Sequence, residues 1–300
     1  MQRGTYSYSV YGLNVESLIP LPELPPGRGR PDVIIQYGSV PTSLQGAEAI
    51  GGFYQGAPGC FLLLVEGVAR YLVIDGKQIL IEREQSATDE EVGLFLLGCA
   101  FASLLQQQGL LPLHSSGIVA DGNCIAFLGP SGTGKSTLAG AFLKRGYRIL
   151  TDDICVISLD SNGSPVAYPG YPQLKLWMDT AGELGEDLES LARISPGIDK
   201  FRRPIGEEFY EDPLPMTRLY VLGVSDACQI EVAPMRGAEK LRAIIGNTYH
   251  LGFLDGLGKR PEHFRQCHAL AEKLNVCKVT RPRAPFLLDE LVGALEADFS

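Results

Sequence analysis

Gly129-Pro130-Ser131-Gly132-Thr133-Gly134-Lys135-Ser136-Thr137 constrains this chain more than any other stretch. It fits the phosphate-binding pattern G-x-x-x-x-G-K-[ST] without a mismatch. The five residues before it, Cys124-Ile125-Ala126-Phe127-Leu128, are an apolar run of the kind that forms a buried strand. The residues after it, 138–145, read as a helix stopped by Gly146. Strand, glycine-rich loop and helix are the order the motif needs. Glycines let backbone N–H groups converge on phosphate oxygens, and the helix N-terminus adds a favourable dipole. Lys135 is spaced to reach outer phosphates, and the Ser136 hydroxyl to ligate Mg²⁺. The competing reading is a glycine-rich turn that fits by chance, and both flanks argue against it.

The flanking chain divides by pattern. Residues 1–86 read as a small β-rich domain, with strands at 5–11, 32–37, 60–65, 70–74 and 78–82. Glu66-Gly67 and Asp75-Gly76 are hairpin signals, so the sheet is predicted to be antiparallel. A proline-rich turn occupies 20–31. Thr88-Asp89-Glu90-Glu91 spells a capping box with acid in the first turn. The helix it starts carries Val92, Phe95, Leu96, Cys99, Ala102 and Leu105 at helical spacing, and its glutamines 106–108 read as a solvated end before Gly109. This places the domain boundary near residue 86, with a nucleotide-binding domain over 87–300. Beyond the loop, strands and helices alternate, and 194–216 reads as loop. The fold class expected is α/β.

Charge and composition exclude some functions. The net charge is −9, which disfavours a general nucleic-acid binder. Seven scattered cysteines without a C-x-x-C point to reduced thiols. The longest apolar stretch, 92–105, is too short to span a bilayer, and the N-terminus lacks a signal-peptide pattern. A cytoplasmic protein with no membrane partner is expected.

A phosphate loop becomes catalytic only with an acid for the metal and a group that positions the nucleophile. Asp152 and Asp153 close a short apolar strand downstream and are the candidates. Adjacent strand residues point to opposite faces, so both acids serve one site only if a turn or bulge begins there. The alternative is an Asp-Asp strand end without a role. His114, in Leu113-His114-Ser115-Ser116-Gly117, is weak by itself. His263 and Cys267 stand at i, i+4 and could hold a metal edge-on, though no other ligand lies near them in sequence. Lys200, Arg202 and Arg203 suit phosphate or an acidic peptide, and equally a solvated basic loop.

Taken together, His114-Ser115, the loop at 129–136, and Lys144-Arg145-Gly146-Tyr147-Arg148-Ile149-Leu150-Thr151-Asp152-Asp153 resemble the catalytic domain of HPr kinase/phosphorylase in order and spacing. The resemblance has departures. Thr137 stands where that family has Glu, and the Glu-Ile-Arg-Gly signature is replaced by the stretch 168–177. The Pro-Leu-Pro-Glu-Leu-Pro opening and Tyr-Pro-Gly-Tyr-Pro element are more similar to HPr-kinase-like proteins of lasso-peptide gene clusters. The resemblance implies a nucleotide-binding domain like that of HPr kinase and phosphoenolpyruvate carboxykinase. It implies ATP and Mg²⁺, and transfer to a serine hydroxyl of a peptide or small protein, such as the C-terminal serine of a lasso-type precursor. Gly129, Ser131, Gly132, Thr133, Gly134, Lys135, Ser136 and Thr137 would bind nucleotide. Asp152 would be the base, and Asp153 with Ser136 would hold Mg²⁺, or the two acids would be exchanged. His114 would orient the acid near the γ-phosphate. The acceptor's dock would be the edge of the N-terminal sheet or 168–177, and a homo-oligomer is possible. The rival functions are a nucleotide-binding regulator or scaffold and a small-molecule kinase.

Overall fold

A computed structural model describes residues 4–47, 49–194, 199–226, 229–284 and 287–300. It is a mixed α/β structure with several sheets. The chain forms two compact units: one of residues 1–112 and 249–265, the other of 113–248 and 266–300.

The first unit holds β1 (Tyr6–Val10), β2 (Leu13–Ser17), β3 (Val33–Tyr37), β4 (Ala49–Ile50), β5 (Tyr54–Ala57), β6 (Cys60–Val65), β7 (Ala69–Ile74) and β8 (Gln78–Arg83). They form one sheet in the order β1-β2-β3-β8-β7-β6-β5-β4. The expected hairpins at Glu66-Gly67 and Asp75-Gly76 are present. The sheet is nevertheless mixed, not antiparallel, because β3 runs parallel to both β2 and β8. Tyr11 and Gly12 both take positive φ and make a tight turn where the sequence suggested only a strand end, so β2 follows β1 directly. The outer edge of β1 is occupied. Ser9 N–H donates to Pro25 O at 2.9 Å, and Gly27 N–H donates to Ser7 O at 3.0 Å. A Cβ at Gly27 would sit 2.1 Å from Tyr8 O, so only glycine permits this approach. The proline-rich stretch therefore covers the β1 edge of the sheet, whose other edge is β4.

The predicted helix begins as α1 (Asp89–Phe95), with both halves of the Thr88/Glu91 capping box formed. It continues through a π-turn at Leu96–Ala100 into α2 (Phe101–Gln107). Its glutamines are not a solvated end. Gln106 is buried and donates to Tyr249 O at 2.9 Å, Gln107 accepts from Gly76 N–H at 2.6 Å, and Gln108 donates to Gly76 O at 2.6 Å. Tyr71 donates its hydroxyl to Val92 O. The helix thus packs on the N-terminal sheet through its apolar face and its amides, and the first unit extends to Pro112 and takes in Tyr249–Arg265. The expected boundary near residue 86 falls inside it.

After β9 (Leu111–Leu113), the second unit contains β10 (Ser115–Ala120), β11 (Asn123–Leu128), α3 (Lys135–Lys144), β12 (Arg148–Thr151), β13 (Cys155–Leu159) and β14 (Pro165–Tyr168). Then come β15 (Gln173–Trp177), α4 (Met178–Glu183), β16 (Ala192–Arg193), β17 (Lys200–Pro204), β18 (Leu214–Ser225), β19 (Glu231–Pro234), α5 (Ala238–Gly246) and β20 (Asn275–Pro282). The main sheet runs β12-β10-β11-β18-β14-β13-β9, with β20 beside β18 and β19 beside β20. β11, β18 and β20 are parallel neighbours. A separate small sheet has the order β15-β17-β16. Residues 200–204 are therefore a strand, not the loop expected there. The core under α3 is aromatic. Phe142 stacks on Phe127 at 5.4 Å and meets Tyr147 edge-on at 5.1 Å, and Phe127 stacks on Tyr220 at 6.1 Å. The last helix, which the sequence pattern places at 286–296, runs from Leu288 to Phe299, and Phe286 lies outside the described residues. None of the six described cysteines forms a disulfide, and Cys228 lies outside the described residues. Among the described residues, no helix is long and apolar enough to cross a membrane.

Candidate functional site

The site forms where β11 ends. Gly129, Gly132 and Gly134 take φ of +146°, +82° and +97°, which side-chain-bearing residues rarely adopt. A Cβ at Gly129 would meet Thr133 Oγ1 at 2.8 Å and Leu222 O at 3.0 Å. The loop is tied by Thr133 Oγ1 donating to Pro130 O at 2.8 Å. Gly134 precedes α3, and no side chain caps the helix, so its first-turn N–H groups are left to a ligand or solvent. Lys135 is buried and donates to Gly129 O at 2.8 Å and Pro130 O at 3.1 Å. Burial lowers its ammonium to about 8; the nearby charge of Lys200 adds to this, while Asp152 and Asp153 oppose it.

Both acids belong to one cluster because the chain turns after β12. Ile154 N–H donates to Asp152 O at 2.9 Å, and Asp153 adopts a left-handed φ of +70°. This is the turn that lets adjacent acids serve one site. The Asp152 carboxylate accepts from Ser116 Oγ at 2.5 Å, Ser136 Oγ at 2.9 Å and Lys175 N–H at 2.8 Å. Asp153 accepts from Lys175 Nζ at 2.7 Å. Burial pushes the Asp153 carboxyl up, but Lys175, Lys200 and His114 outweigh it and hold the group well below the usual carboxylate range. His114 Nδ1 lies 3.0 Å from Asp153 O and 3.6 Å from Asp153 Oδ1. A carbonyl oxygen can only accept, so this nitrogen carries the proton. Burial, then Lys135, lowers the His114 pKa, which favours the neutral ring; Asp153 pulls the other way.

A cavity of about 530 Å³ opens among these groups. Ser131, Gly132, Gly134, Lys135, Ser136 and Thr137 line it from the loop and α3, and His114 and Asp153 line it beside them. The loop residues, His114 and the two aspartates are thus gathered around one loop. Gly129 and Thr133 shape that loop from behind, and Asp152 is held against Ser136.

Sequence reasoning missed Ser116 and Lys175, and placed Lys200 in a loop. Lys175 is the larger omission, since its backbone holds one acid and its side chain the other. Alternation in Gln173-Leu174-Lys175-Leu176-Trp177 indicates that Lys175 and Trp177 share a face opposite two buried leucines. It does not indicate that this face meets Asp152. The basic trio also divides. Lys200 pairs across from Trp177 and lines the cavity, Arg203 bonds Glu186 at 3.0 Å, and Arg202 donates to Ile194 O at 3.3 Å. His263 and Cys267 are both buried. Among the described residues, no group of three or more His, Cys, Asp or Glu could hold a metal.

No family model matches the chain. No curated protein matches it either. Among solved structures, it is similar to the Hpr(Ser) kinase/phosphatase from Coxiella burnetii, at 11% identity and a TM-score of 0.35. That likeness covers 62% of this chain and 89% of the other.

Proposed function

We propose that the chain is an ATP-dependent kinase that phosphorylates a serine hydroxyl of a peptide or small protein. The observation that carries this reading is the Ser136–Asp152 hydrogen bond at 2.9 Å, with Asp153 turned into the same cavity beside Lys135 and His114. A bare phosphate-binding loop needs no second acid; phosphoryl transfer uses one acid at the metal and another group at the nucleophile.

The residues suit Mg²⁺. Ser136 Oγ and the Asp152 carboxylate are hard oxygen donors in contact, and Mg²⁺ characteristically takes one or two protein oxygens and completes its shell with phosphates and water. When bound, the ion would neutralise charge on the phosphates. This reading exchanges the roles first assigned to the acids: Asp152 serves the metal and Asp153 the acceptor hydroxyl. Lys135 would leave the carbonyls of Gly129 and Pro130 for the outer phosphates. Asp153 would accept a hydrogen bond from the attacking hydroxyl and later its proton. Its low proton affinity suits a loose transition state, in which positioning supplies most of the rate. His114 donates to Asp153 O and so fixes the turn that aims the carboxylate.

A nucleotide-binding regulator is the second reading. The observation favouring it is the Lys175–Asp153 ion pair at 2.7 Å, which occupies the oxygen a base would use. The deciding experiment is incubation with Mg-ATP and candidate peptides, including a lasso-type precursor ending in serine, followed by mass spectrometry. The kinase reading requires a gain of one phosphate that is lost in Lys135→Ala and Asp153→Asn. It fails if no acceptor gains mass and Asp153→Asn hydrolyses ATP as fast as the unaltered chain.

A further inference from the structure

Trp177 is the chain's single tryptophan, and it is 41% exposed at the wall of the cavity. Its neighbour Met178, on the same wall, is 46% exposed. Two large apolar side chains in sequence, both left in water, cost solvation that folding alone does not repay. The second unit buries its other large aromatics readily, among them Phe127, Phe142 and Tyr220.

The rest of the cavity explains what is missing. Lys135, Ser136, Asp153, His114 and Lys175 are polar or charged, and they suit phosphates and the transferred group. At about 530 Å³ the cavity is larger than those groups need, and its apolar lining side chains are Leu176, Trp177 and Met178. Leu176 is fully buried, so it offers little surface. A nucleotide bound by its phosphates still has a flat aromatic base to bury. We infer that the indole of Trp177 is the stacking platform for that base, with Met178 at its edge.

Two features support the assignment. Thr137 Oγ1 and Thr180 Oγ1 lie 3.0 Å apart, which pins α4, and with it Trp177 at its start, against the first turn of α3. Lys200 Nζ stands over one face of the indole ring, 5.8 Å from its centroid, so the base would take the other face with positive charge beside it. Stacking on one ring reads no base edges, so the platform accepts any purine nucleotide with little discrimination.

The inference rests on the nucleotide reading above, and its test separates the two. With a single tryptophan, emission reports this position alone. Mg-ATP is expected to change Trp177 emission, and Mg-tripolyphosphate, which has no base, to leave it nearly unchanged. By calorimetry, Trp177→Ala is expected to weaken Mg-ATP on the order of ten-fold and Trp177→Phe much less. Tripolyphosphate affinity is expected to be equal in all three proteins, which also shows that the variants fold. Equal Mg-ATP affinity in Trp177→Ala and the unaltered chain would overturn the platform and leave the nucleotide reading standing. If the unaltered chain binds neither ligand, both fall.

Discussion

Lys175 anchors both acids, so its removal is the sharpest test of how the site is held. Lys175→Met keeps the aliphatic stem and deletes the ammonium. The side chains of Lys175 and Asp153 are only 12% and 15% exposed, and their atoms are 2.7 Å apart. Removing one partner of a buried pair costs about 3–5 kcal/mol, because the remaining charge stays desolvated. Lys200 and His114 still face Asp153, which puts the expected loss at the low end, about 3 kcal/mol. Urea unfolding followed by Trp177 emission reads the second unit, where the tryptophan lies. Asp153→Asn and the double variant complete a cycle, for which a coupling of about 2 kcal/mol is expected. The pH dependence has a definite sign. Asp153 is depressed in the folded state, so its contribution is present above the unfolded value of about 3.9 and is lost as pH falls through the folded value. The gap between Lys175→Met and the unaltered chain should therefore be full at neutral pH and narrow in acid. A coupling near zero, or a gap unchanged by acid, would refute the claim that the ion pair holds the site.

Three further perturbations probe the same geometry. Gly170→Ala would place a Cβ 2.5 Å from Thr151 Oγ1 and push the strand end that presents Asp152, so phosphotransfer should fall far more than stability, as steady-state kinetics beside thermal unfolding would show. Phe142→Ala removes the ring stacked on Phe127 and should cost about 3–5 kcal/mol in denaturant titrations, with nucleotide binding retained at low temperature. Lys135 titrates at about 8, so affinity for tripolyphosphate should decline as pH rises through that value. Since the folded value lies below the unfolded one of about 10.4, the unliganded chain should gain stability between the two, because there the unfolded state binds more protons.

Much of the site is legible in the chain itself, because its chemistry is local. The glycine spacing, Lys135 and Ser136 lie in one loop, and Asp152 and Asp153 lie together at one strand end. The Thr88/Glu91 capping box is equally local, and it forms as spelled. Burial of Cys124 and Cys155 follows from apolar runs. Where contacts join distant segments, sequence reasoning is less complete. It makes the first sheet antiparallel, since hairpin signals report only neighbouring strands and β3 pairs with β2 and β8 across long connections. It leaves Gln106 solvated, since nothing local reveals that Tyr249 O awaits its amide.

The sequence by itself determined where phosphate could be cradled and which acids could stand near it, because φ-permissive glycines and a strand ending in two acids are properties of short segments. Which partners each acid meets depends on tertiary packing. Asp152 meets Ser136, Ser116 and the backbone of Lys175, while the left-handed turn at Asp153 sends the second carboxylate to the Lys175 ammonium and the cavity. Those partners of Asp152 lie 36, 16 and 23 residues from it along the chain, in β10, α3 and β15. Hydrogen bonds and ion pairs act over a few ångströms of space whatever the separation along the chain, so only packing brings those groups within reach.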